Sequence, residues 1–425
     1  MRNRFLFWML VFDIVALAAG IVVAALVVFG TPFAWRAELP ADETLWPLAG
    51  FLMIGVVLGS YAFRPMWLLH APRASYGRAF AIVTFSGVFT AVGVVAMRPY
   101  WSRPFVAVTF AVWTLLALAH RAIRRRRPWT EKLVLVTKEK GLVEDMRDSR
   151  QAEVVDVLDP AGSPPESLDP SVVLVVDLRP VLSDRMAQFV SSWDLAGHRI
   201  RTLTKAYEEY TGRLPVVHLI EGWEIAAPVS RREYATVKRP LDTFLIVVTL
   251  PLWIFLAAVI WIGVRLDSSG PAIHRQTRVG RDGALFTLYK FRTMALGAED
   301  GGPRFTSVDD ERLTRAGSLL RRIHLDEIPQ LWNVLRGDLA LVGPRPERPE
   351  FTRPYEASIP FYAYRHLVRP GVTGWAQVNY GYADDQAGAI EKLTFDLYYV
   401  KHMSQWLDAQ ILGSSIWAVL SGFGR

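Results

Sequence analysis

The chain has 425 residues, with 48 Lys and Arg against 41 Asp and Glu, giving a net charge of +7. That length allows two or three domains, and an apolar fraction of 51% with 15 Trp points to membrane segments, while the basic excess suits anionic lipid or phosphorylated ligands. There is no Cys, so disulfides, thiolate nucleophiles and Cys–zinc sites are excluded.

Residues 5–29 are almost uninterrupted apolar residues after Arg2 and Arg4. A signal peptide is the competing reading, with Ala16-Leu17-Ala18 as a weak cleavage pattern. The run is longer than a signal core and more membrane segments follow, so a retained helix is expected. Asp13 is unusual within it and is a candidate for pairing with another helix. Three further spans are expected at 45–63, 79–97 and 104–120, the second of these weakly interrupted by Gly87 and Gly93. Arg2 and Arg4, then Arg64, His70, Arg73 and Arg78, then Arg121 and Arg124 to Arg127 fall on one side. Glu38, Asp42 and Glu43 fall on the other, where the second loop is short and lies between Arg98 and Arg103. The positive-inside rule then places both ends of this four-helix unit, residues 1–127, in the cytoplasm. An arginine run directly after a membrane helix reads as an anchor at anionic headgroups, so no nucleic-acid partner is expected.

Residues 128–228 change character. Lys132-Leu133-Val134-Leu135-Val136 and Val172-Val173-Leu174-Val175-Val176-Asp177 read as buried parallel strands, and Arg199-Ile200-Arg201-Thr202-Leu203 as a third. A polar helix is expected over 181–196 and a loop at Ala161-Gly162-Ser163-Pro164-Pro165. The pattern fits a small α/β domain. The turn after the first strand reads Thr137-Lys138-Glu139-Lys140-Gly141, without the glycine fingerprint of a dinucleotide site, so a structural or regulatory domain is expected.

Residues 243–264 form a fifth apolar run with Pro251 in its middle. Proline removes a backbone hydrogen bond and kinks a helix. Basic flanks on both sides leave two readings open: an ordinary crossing, or a helix that bends and returns to the same face. Beyond 265 the chain reads as a globular domain. Phe286 to Arg292 alternates like a strand, and helices are expected over 309–323, 326–336, 387–402 and 404–421, the last with Ser404 as a cap. Trp406 and Trp417 share one face of the last helix, suited to core packing or to an interfacial anchor.

Asp326 and Glu327 stand at the expected start of a helix, where acids commonly complement the helix dipole. Their surroundings argue for more. Lys290 and Arg292 alternate with Phe291 and so should share a strand face. Arg321 and Arg322 precede the pair, and Arg345 is held between Pro344 and Pro346. Guanidinium groups suit bidentate phosphate binding, and a divalent ion such as Mg²⁺ would bridge a carboxylate and phosphates. A carboxylate can also act as nucleophile toward phosphorus. The residues alone leave open which acid attacks.

Residues 231–425 resemble the bacterial sugar transferase family, the monotopic phosphoglycosyl transferases. The resemblance rests on ordered blocks: Lys238-Arg239 with Asp242; Pro251 in its apolar run; Lys290-Phe291-Arg292-Thr293-Met294; Leu325 through Leu335; Gly337-Asp338; Leu341 through Pro346; Arg369 through Asn379; and Tyr398-Tyr399-Val400 with Asp408. The whole chain resembles the larger members. The implied fold class is a membrane protein of mixed α and α/β type. It comprises a four-helix transmembrane unit, a Rossmann-like α/β domain, and a mainly helical monotopic catalytic domain at 229–425 with a re-entrant, Pro-kinked membrane helix at 240–264.

The implied reaction moves a sugar-1-phosphate from a UDP-sugar to polyprenyl (undecaprenyl) phosphate, releasing UMP through a covalent aspartyl phosphosugar, with Mg²⁺ required. Asp326 is the implied nucleophile and metal ligand, and Glu327 supports it. Lys290, Arg292, Arg321, Arg345, Arg369, Gln377 and Asp396 are the implied substrate contacts. Lys238 and Arg239 would sit at lipid headgroups beside Pro251. The implied location is the bacterial inner membrane with the site on the cytoplasmic face. The implied pathway is exopolysaccharide, capsule or O-antigen assembly, with a homodimer and downstream glycosyltransferases as partners. One departure is Asn379-Tyr380-Gly381-Tyr382, where the family usually has Asn-Gly-Arg; this bears on sugar preference. Rival readings are a glycosyltransferase that releases UDP and a non-catalytic membrane scaffold.

Overall fold

The computed structural model describes residues 2–33, 46–62, 76–97, 102–126, 130–149, 151–216, 228–298, 310–380 and 386–421. The loop charges at Glu38, Asp42, Glu43, Arg64, His70, Arg73, Arg98 and Arg127, and the variant positions Gly381 and Tyr382, lie outside those residues. The chain divides into two compact units, Met1–Arg201 and Thr202–Arg425.

In the first unit the four N-terminal apolar runs are helices: α1 (Arg2–Phe29), α2 (Trp46–Ala62), α3 (Tyr76–Met97) and α4 (Arg103–Arg126). Helix α1 packs on α4 and α2 on α3, around Leu17, Leu52, Ile82, Phe105 and Trp113. Helices in hydrocarbon associate through close packing and polar contacts rather than hydrophobic drive. Gly93 serves that packing instead of interrupting the helix, since a Cβ there would stand 2.6 Å from the Phe51 ring. Helices α1, α3 and α4 are long and apolar enough to cross a membrane, whereas α2 is apolar but only 17 residues long. Asp13 finds its partner on α4: Arg121 donates from Nη1 and Nη2 to its two carboxylate oxygens, both at 2.8 Å.

The rest of this unit is built on a sheet of order β2-β1-β3-β4: β1 (Glu131–Val136), β2 (Ala152–Leu158), β3 (Val173–Val176) and β4 (Ile200–Thr202). Strand β1 runs parallel to both β2 and β3. Helix α5 (Lys140–Arg147) follows β1, and α6 (Asp184–Leu195) is capped by Ser183, whose Oγ accepts from the Met186 amide at 3.2 Å. Val134, Val136, Leu174, Val176, Met186 and Trp193 form the core. Strand β2 is an addition to the sequence reading.

The second unit begins with α7 (Leu203–Thr211). Its Glu208 accepts a hydrogen bond from Lys401 Nζ at 2.7 Å and lies 2.9 Å from His402 Nε2. The Leu214 amide donates to the Thr394 carbonyl at 3.0 Å, and the Trp375 indole donates to the Gly212 carbonyl at 2.7 Å. Residues 203–216, which the sequence reading groups with the α/β domain, therefore pack within the C-terminal unit.

Helix α8 (Pro228–Asp267) follows and continues through Pro240 and Pro251. It too is long and apolar enough to cross a membrane. Before Pro251, Ile246 packs with Leu288, Val334 and Leu339. After it, Ile260 and Val264 pack with Phe291, Leu320 and Ile328. The opposite face exposes Phe244, Val248, Ile254 and Phe255.

An antiparallel hairpin, β5 (Ile273–Val279) with β6 (Leu285–Phe291), leads to α9 (Arg315–Arg322) and α10 (Gln330–Arg336). Strand β7 (Ala340–Val342) then pairs parallel with β8 (Gly371–Thr373), with α11 (Pro349–Ser358) between them in sequence. Three helices close the chain: α12 (Trp375–Asn379), α13 (Gln386–His402) and α14 (Gln405–Ser421). Ser404 does cap α14, its Oγ accepting from the Leu407 amide at 3.3 Å. Trp406 is half-buried, and the Trp417 side chain lies outside the described residues.

The Asp13–Arg121 pair gives a direct test. Asp13 and Arg121 are 2% and 1% exposed. Removing one partner of a buried pair leaves the other charge uncompensated, which costs roughly 3–5 kcal/mol. Asp13→Ala should lower the unfolding free energy of the purified protein by that order, read as a lower unfolding midpoint. An unchanged thermal or denaturant midpoint would show that the pair carries no stability.

Candidate active site

The dyad sits on a tighter turn than the helix start expected from sequence. Helix α9 ends at Arg322, and His324 takes a left-handed conformation with φ of 56°. That conformation is costly for a residue with a Cβ, by about 1–2 kcal/mol. It reverses the chain into a single 3₁₀ turn, Leu325–Glu327, before α10 begins at Gln330. Successive residues of a 3₁₀ turn point about 120° apart. Asp326 and Glu327 therefore face different surroundings.

Asn333 fixes that turn against the hairpin. Fully buried on α10, it donates from Nδ2 to the Thr287 carbonyl at 2.7 Å and accepts from the Tyr289 amide at 3.2 Å. Its Nδ2 also donates to Asp338 Oδ2 at 3.1 Å. This side chain satisfies backbone groups of β6 just ahead of Lys290. From there Lys290 Nζ donates to Glu327 Oε1 at 3.0 Å.

Arg345 reaches the same oxygen, with Nη2 at 3.1 Å from Glu327 Oε1. Its loop is held by the β7–β8 pair: the Gly343 amide donates to the Thr373 carbonyl at 2.9 Å, and the Gly371 amide to the Pro344 carbonyl at 2.9 Å. Behind it lies Arg365, whose Nη2 donates to the Arg345 carbonyl at 3.0 Å and to Asp396 Oδ2 at 2.7 Å. Arg365 Nη1 also donates to the Tyr362 hydroxyl at 2.6 Å.

The two acids end in opposite electrostatic states. Burial disfavours charge on Glu327, but Lys290, Arg345 and the hydrogen bond from Lys290, aided by His324, outweigh it and hold its pKa well below the usual carboxylate range. Burial pushes Asp326 up, and the neighbouring Glu327 adds to that, against the pull of Lys290, Arg321 and Arg345. Among the described residues, no hydrogen bond or ion pair reaches the Asp326 carboxylate, although the residue is only 7% exposed.

The structure spreads the other sequence-predicted residues more widely. Arg321 stays at the site, its Nε donating to Thr293 Oγ1 at 2.9 Å while its charge acts on Asp326. Arg292 does not join the Lys290 face. Strand β6 ends at Phe291, and the Arg292 guanidinium turns to the end of α8, donating to the carbonyl and hydroxyl of Ser268, both at 2.8 Å. Asp396 is buried against Arg365 and positions the Arg345 loop from behind. Gln377 on α12 donates to the Val372 carbonyl at 3.2 Å. Arg369 donates to the Gly337 carbonyl at 3.1 Å, at the far end of α10 from the dyad. Lys238 is enclosed by Asp408 and Asp242; Asp408 also accepts from the Tyr234 and Tyr399 hydroxyls at 2.7 and 2.8 Å. Arg239 is exposed beside Gly337, and Pro251 is exposed on α8.

Sequence reasoning passed over Arg365 and the stitching role of Asn333. Arg365 carries no local motif, and its partners come from three separate segments. Asn333 stood in a matched block, but only the hairpin beside it reveals its work.

For a divalent metal, no group of three or more His, Cys, Asp or Glu converges among the described residues. Mg²⁺ is commonly held by one or two carboxylates, waters and substrate phosphates. The unpartnered Asp326 carboxylate fits that donor set, whereas Glu327 is already taken by two cations.

Fold and site together define a membrane protein with a phosphate-suited carboxylate site on its C-terminal unit. A profile described as bacterial sugar transferase matches residues 233–422, and the chain belongs to that family. It is 39% identical over 252 residues to a UDP-N-acetylgalactosamine-undecaprenyl-phosphate N-acetylgalactosaminephosphotransferase of Aeromonas hydrophila, covering 59% of each chain. It is 39% identical to a UDP-glucose:undecaprenyl-phosphate glucose-1-phosphate transferase of Xanthomonas campestris pv. campestris, over 48% of this chain and 42% of that one. A Caulobacter vibrioides protein with the same activity in its name is 37% identical over 46% of this chain and 73% of its own length. The chain spans about half the length of the first two.

Asn333→Ala removes three hydrogen bonds and leaves two part-buried backbone groups of β6 without their partner, at a cost of about 2–3 kcal/mol. We expect a lower melting temperature and a larger fall in turnover than in substrate affinity, because Lys290 loses its register with Glu327. Unchanged turnover in a folded variant would separate Asn333 from the site.

Proposed function

We propose that this protein transfers a sugar-1-phosphate from a UDP-sugar to undecaprenyl phosphate, releasing UMP and forming the first lipid-linked sugar of an exopolysaccharide, capsule or O-antigen. The substrates come from the names of the relatives, which differ in the sugar they carry. The observation that carries the mechanism is the buried Asp326 carboxylate, without a partner among the described residues, beside a Glu327 already neutralised by Lys290 and Arg345.

In the first step an Asp326 oxygen attacks the sugar-linked phosphorus. The bond from that phosphorus to the bridging oxygen breaks, and UMP leaves with the electron pair. The aspartyl phosphosugar that remains is then attacked by a phosphate oxygen of undecaprenyl phosphate. The acyl–phosphate P–O bond breaks, the carboxylate of Asp326 returns, and the lipid diphosphate sugar forms. Lys290, Arg321 and Arg345 offset phosphate charge throughout. Glu327 fixes two of these cations. Mg²⁺, held by Asp326 and the diphosphate, would neutralise charge on the leaving nucleotide.

The domain bearing this site belongs on one side of the membrane, and α8 supports a re-entrant path. Ile246 and Val264, on either side of Pro251, both pack on that same charged domain, so both ends of the apolar run belong on its side. With the nucleotide sugar as donor, that side is the cytoplasmic face of the bacterial inner membrane. The parallel sheet of the first unit fits a Rossmann-like accessory domain. A homodimer and downstream glycosyltransferases complete the proposed setting.

Membranes containing the wild-type protein should release UMP from a UDP-sugar when undecaprenyl phosphate is supplied. Asp326→Asn should reduce that rate at least a thousandfold, and intact-mass analysis of wild type with donor alone should show a phosphosugar adduct. Release of UDP, or full turnover by Asp326→Asn, would overturn the reading.

Because attack needs the carboxylate, the rate should fall in acid with a midpoint above the ordinary aspartate value of 3.8. Lys290→Met withdraws a nearby positive charge and should move that midpoint up. Glu327→Gln withdraws a negative one and should move it down. Shifts in one common direction would contradict the assignment.

The absence of Cys makes the path of α8 testable by labelling. Single cysteines at the exposed positions Val237 and Leu266 should react with a membrane-impermeant maleimide from the same side. Reaction from opposite sides would establish a crossing.

A further inference from the structure

At the C-terminal end of α10 lies a cavity of about 270 Å³ that none of Lys290, Asp326, Glu327 or Arg345 lines. Arg239, Arg281 and Arg369 converge on it, together with apolar side chains that include Leu367, Val368 and Met403. Helix α10 has seven residues and is about 10 Å long, so the cavity and the dyad stand at opposite ends of one short helix.

Gly337 gathers two of these arginines. Its carbonyl accepts from Arg369 Nε, and its own φ is 92°. A Cβ at this position would collide with the Arg239 guanidinium. The lining holds four cations, with Lys238, against the carboxylates of Asp242 and Asp282. Lys238 is already engaged by Asp242 and Asp408, and Arg281 lies 3.1 Å from Asp282. Among the described residues, Arg239 and Arg369 have no carboxylate partner. Burial, then the like charges of Arg239 and Arg281, depress the Arg369 pKa, and the Asp242 carboxylate offsets this only in part.

Two further features narrow the ligand. Typical drug-sized pockets begin at about 300 Å³, so this cavity suits a headgroup better than a nucleotide sugar. Arg239 lies just before the apolar run of α8, which places the cavity where the chain passes from polar surroundings toward hydrocarbon. Guanidinium groups above an apolar wall match a phosphate with a hydrocarbon tail.

We propose that this cavity is a second phosphate site, separate from the dyad, that takes the phosphate head of a membrane amphiphile. The ligand is either a polyprenyl phosphate or a phospholipid, since both present the same chemistry. The assignment does not depend on the transfer reaction, because UMP release and cavity occupancy are read independently.

The test uses the full-length protein in nonionic detergent with a diazirine-bearing farnesyl phosphate, and locates crosslinks by peptide mass spectrometry. Crosslinks are expected at residues 367–369 and Met403. Arg281→Ala/Arg369→Ala should reduce them at least tenfold while labelling near residues 325–345 persists. Leu367→Trp, which fills the cavity without removing charge, should reduce them in a protein whose melting temperature is unchanged. Short-chain phosphatidylglycerol competing at this position would identify a general phospholipid site. Its failure to compete where unlabelled farnesyl phosphate succeeds would identify a polyprenyl phosphate site. Either supports the proposal. Labelling unchanged in both variants, or inorganic phosphate competing as well as the amphiphiles, would overturn it.

Discussion

Glu327 is the joint on which the site depends. One of its oxygens is shared by Lys290 from the hairpin and Arg345 from the loop after β7, so a single carboxylate ties three separate segments together. The turn bearing Glu327 cannot rotate without breaking those contacts. Asp326 is thereby presented in the remaining direction, where no group among the described residues satisfies it. Adjacent acids on a longer, regular helix would differ by position alone; here the strained entry at His324 and the tight turn set their environments apart.

The supports behind this joint are buried ion pairs. Arg365 is buried, and it contacts a carbonyl, a hydroxyl and the carboxylate of Asp396. Such a charge is tolerable in the interior only when its donors are used, and these donors are spent on holding the Arg345 backbone. On the other flank, Asp408 collects Lys238 and two tyrosine hydroxyls, joining the start of α8 to the last two helices. Helix α8 and the Arg345 loop are both braced by buried ion pairs with hydrogen-bonded partners.

Much of this was legible in the residues. The long apolar runs became helices because hydrophobicity over such lengths admits few alternatives, and β1 and β3 were plain as short apolar runs. Strand β2 was hidden because it lies at the sheet edge, where Glu153 and Asp156 meet solvent and dilute the apolar pattern. Strand β5, with His274, Arg275, Gln276 and Arg278, was hidden for the same reason. The three-residue pair β7–β8 depends on contact between distant segments and has no local signal. The dyad and its cations were readable as a set of charges. What pattern alone misplaced was Arg292, because alternation holds only while the strand continues.

The contacts of α7 bear on where a self-supporting fragment begins. The family match starts at residue 233, but the unit it belongs to starts at Thr202. A chain cut at the shared boundary would strip the Trp375 indole of its carbonyl acceptor and leave Lys401 and His402 facing the gap where Glu208 had been. Trp375 opens the short helix that follows β8, the strand bracing the Arg345 loop. Residues 203–216 thus act as a wedge within this unit, and a piece able to hold the site in shape extends beyond the segment that the family profile matches.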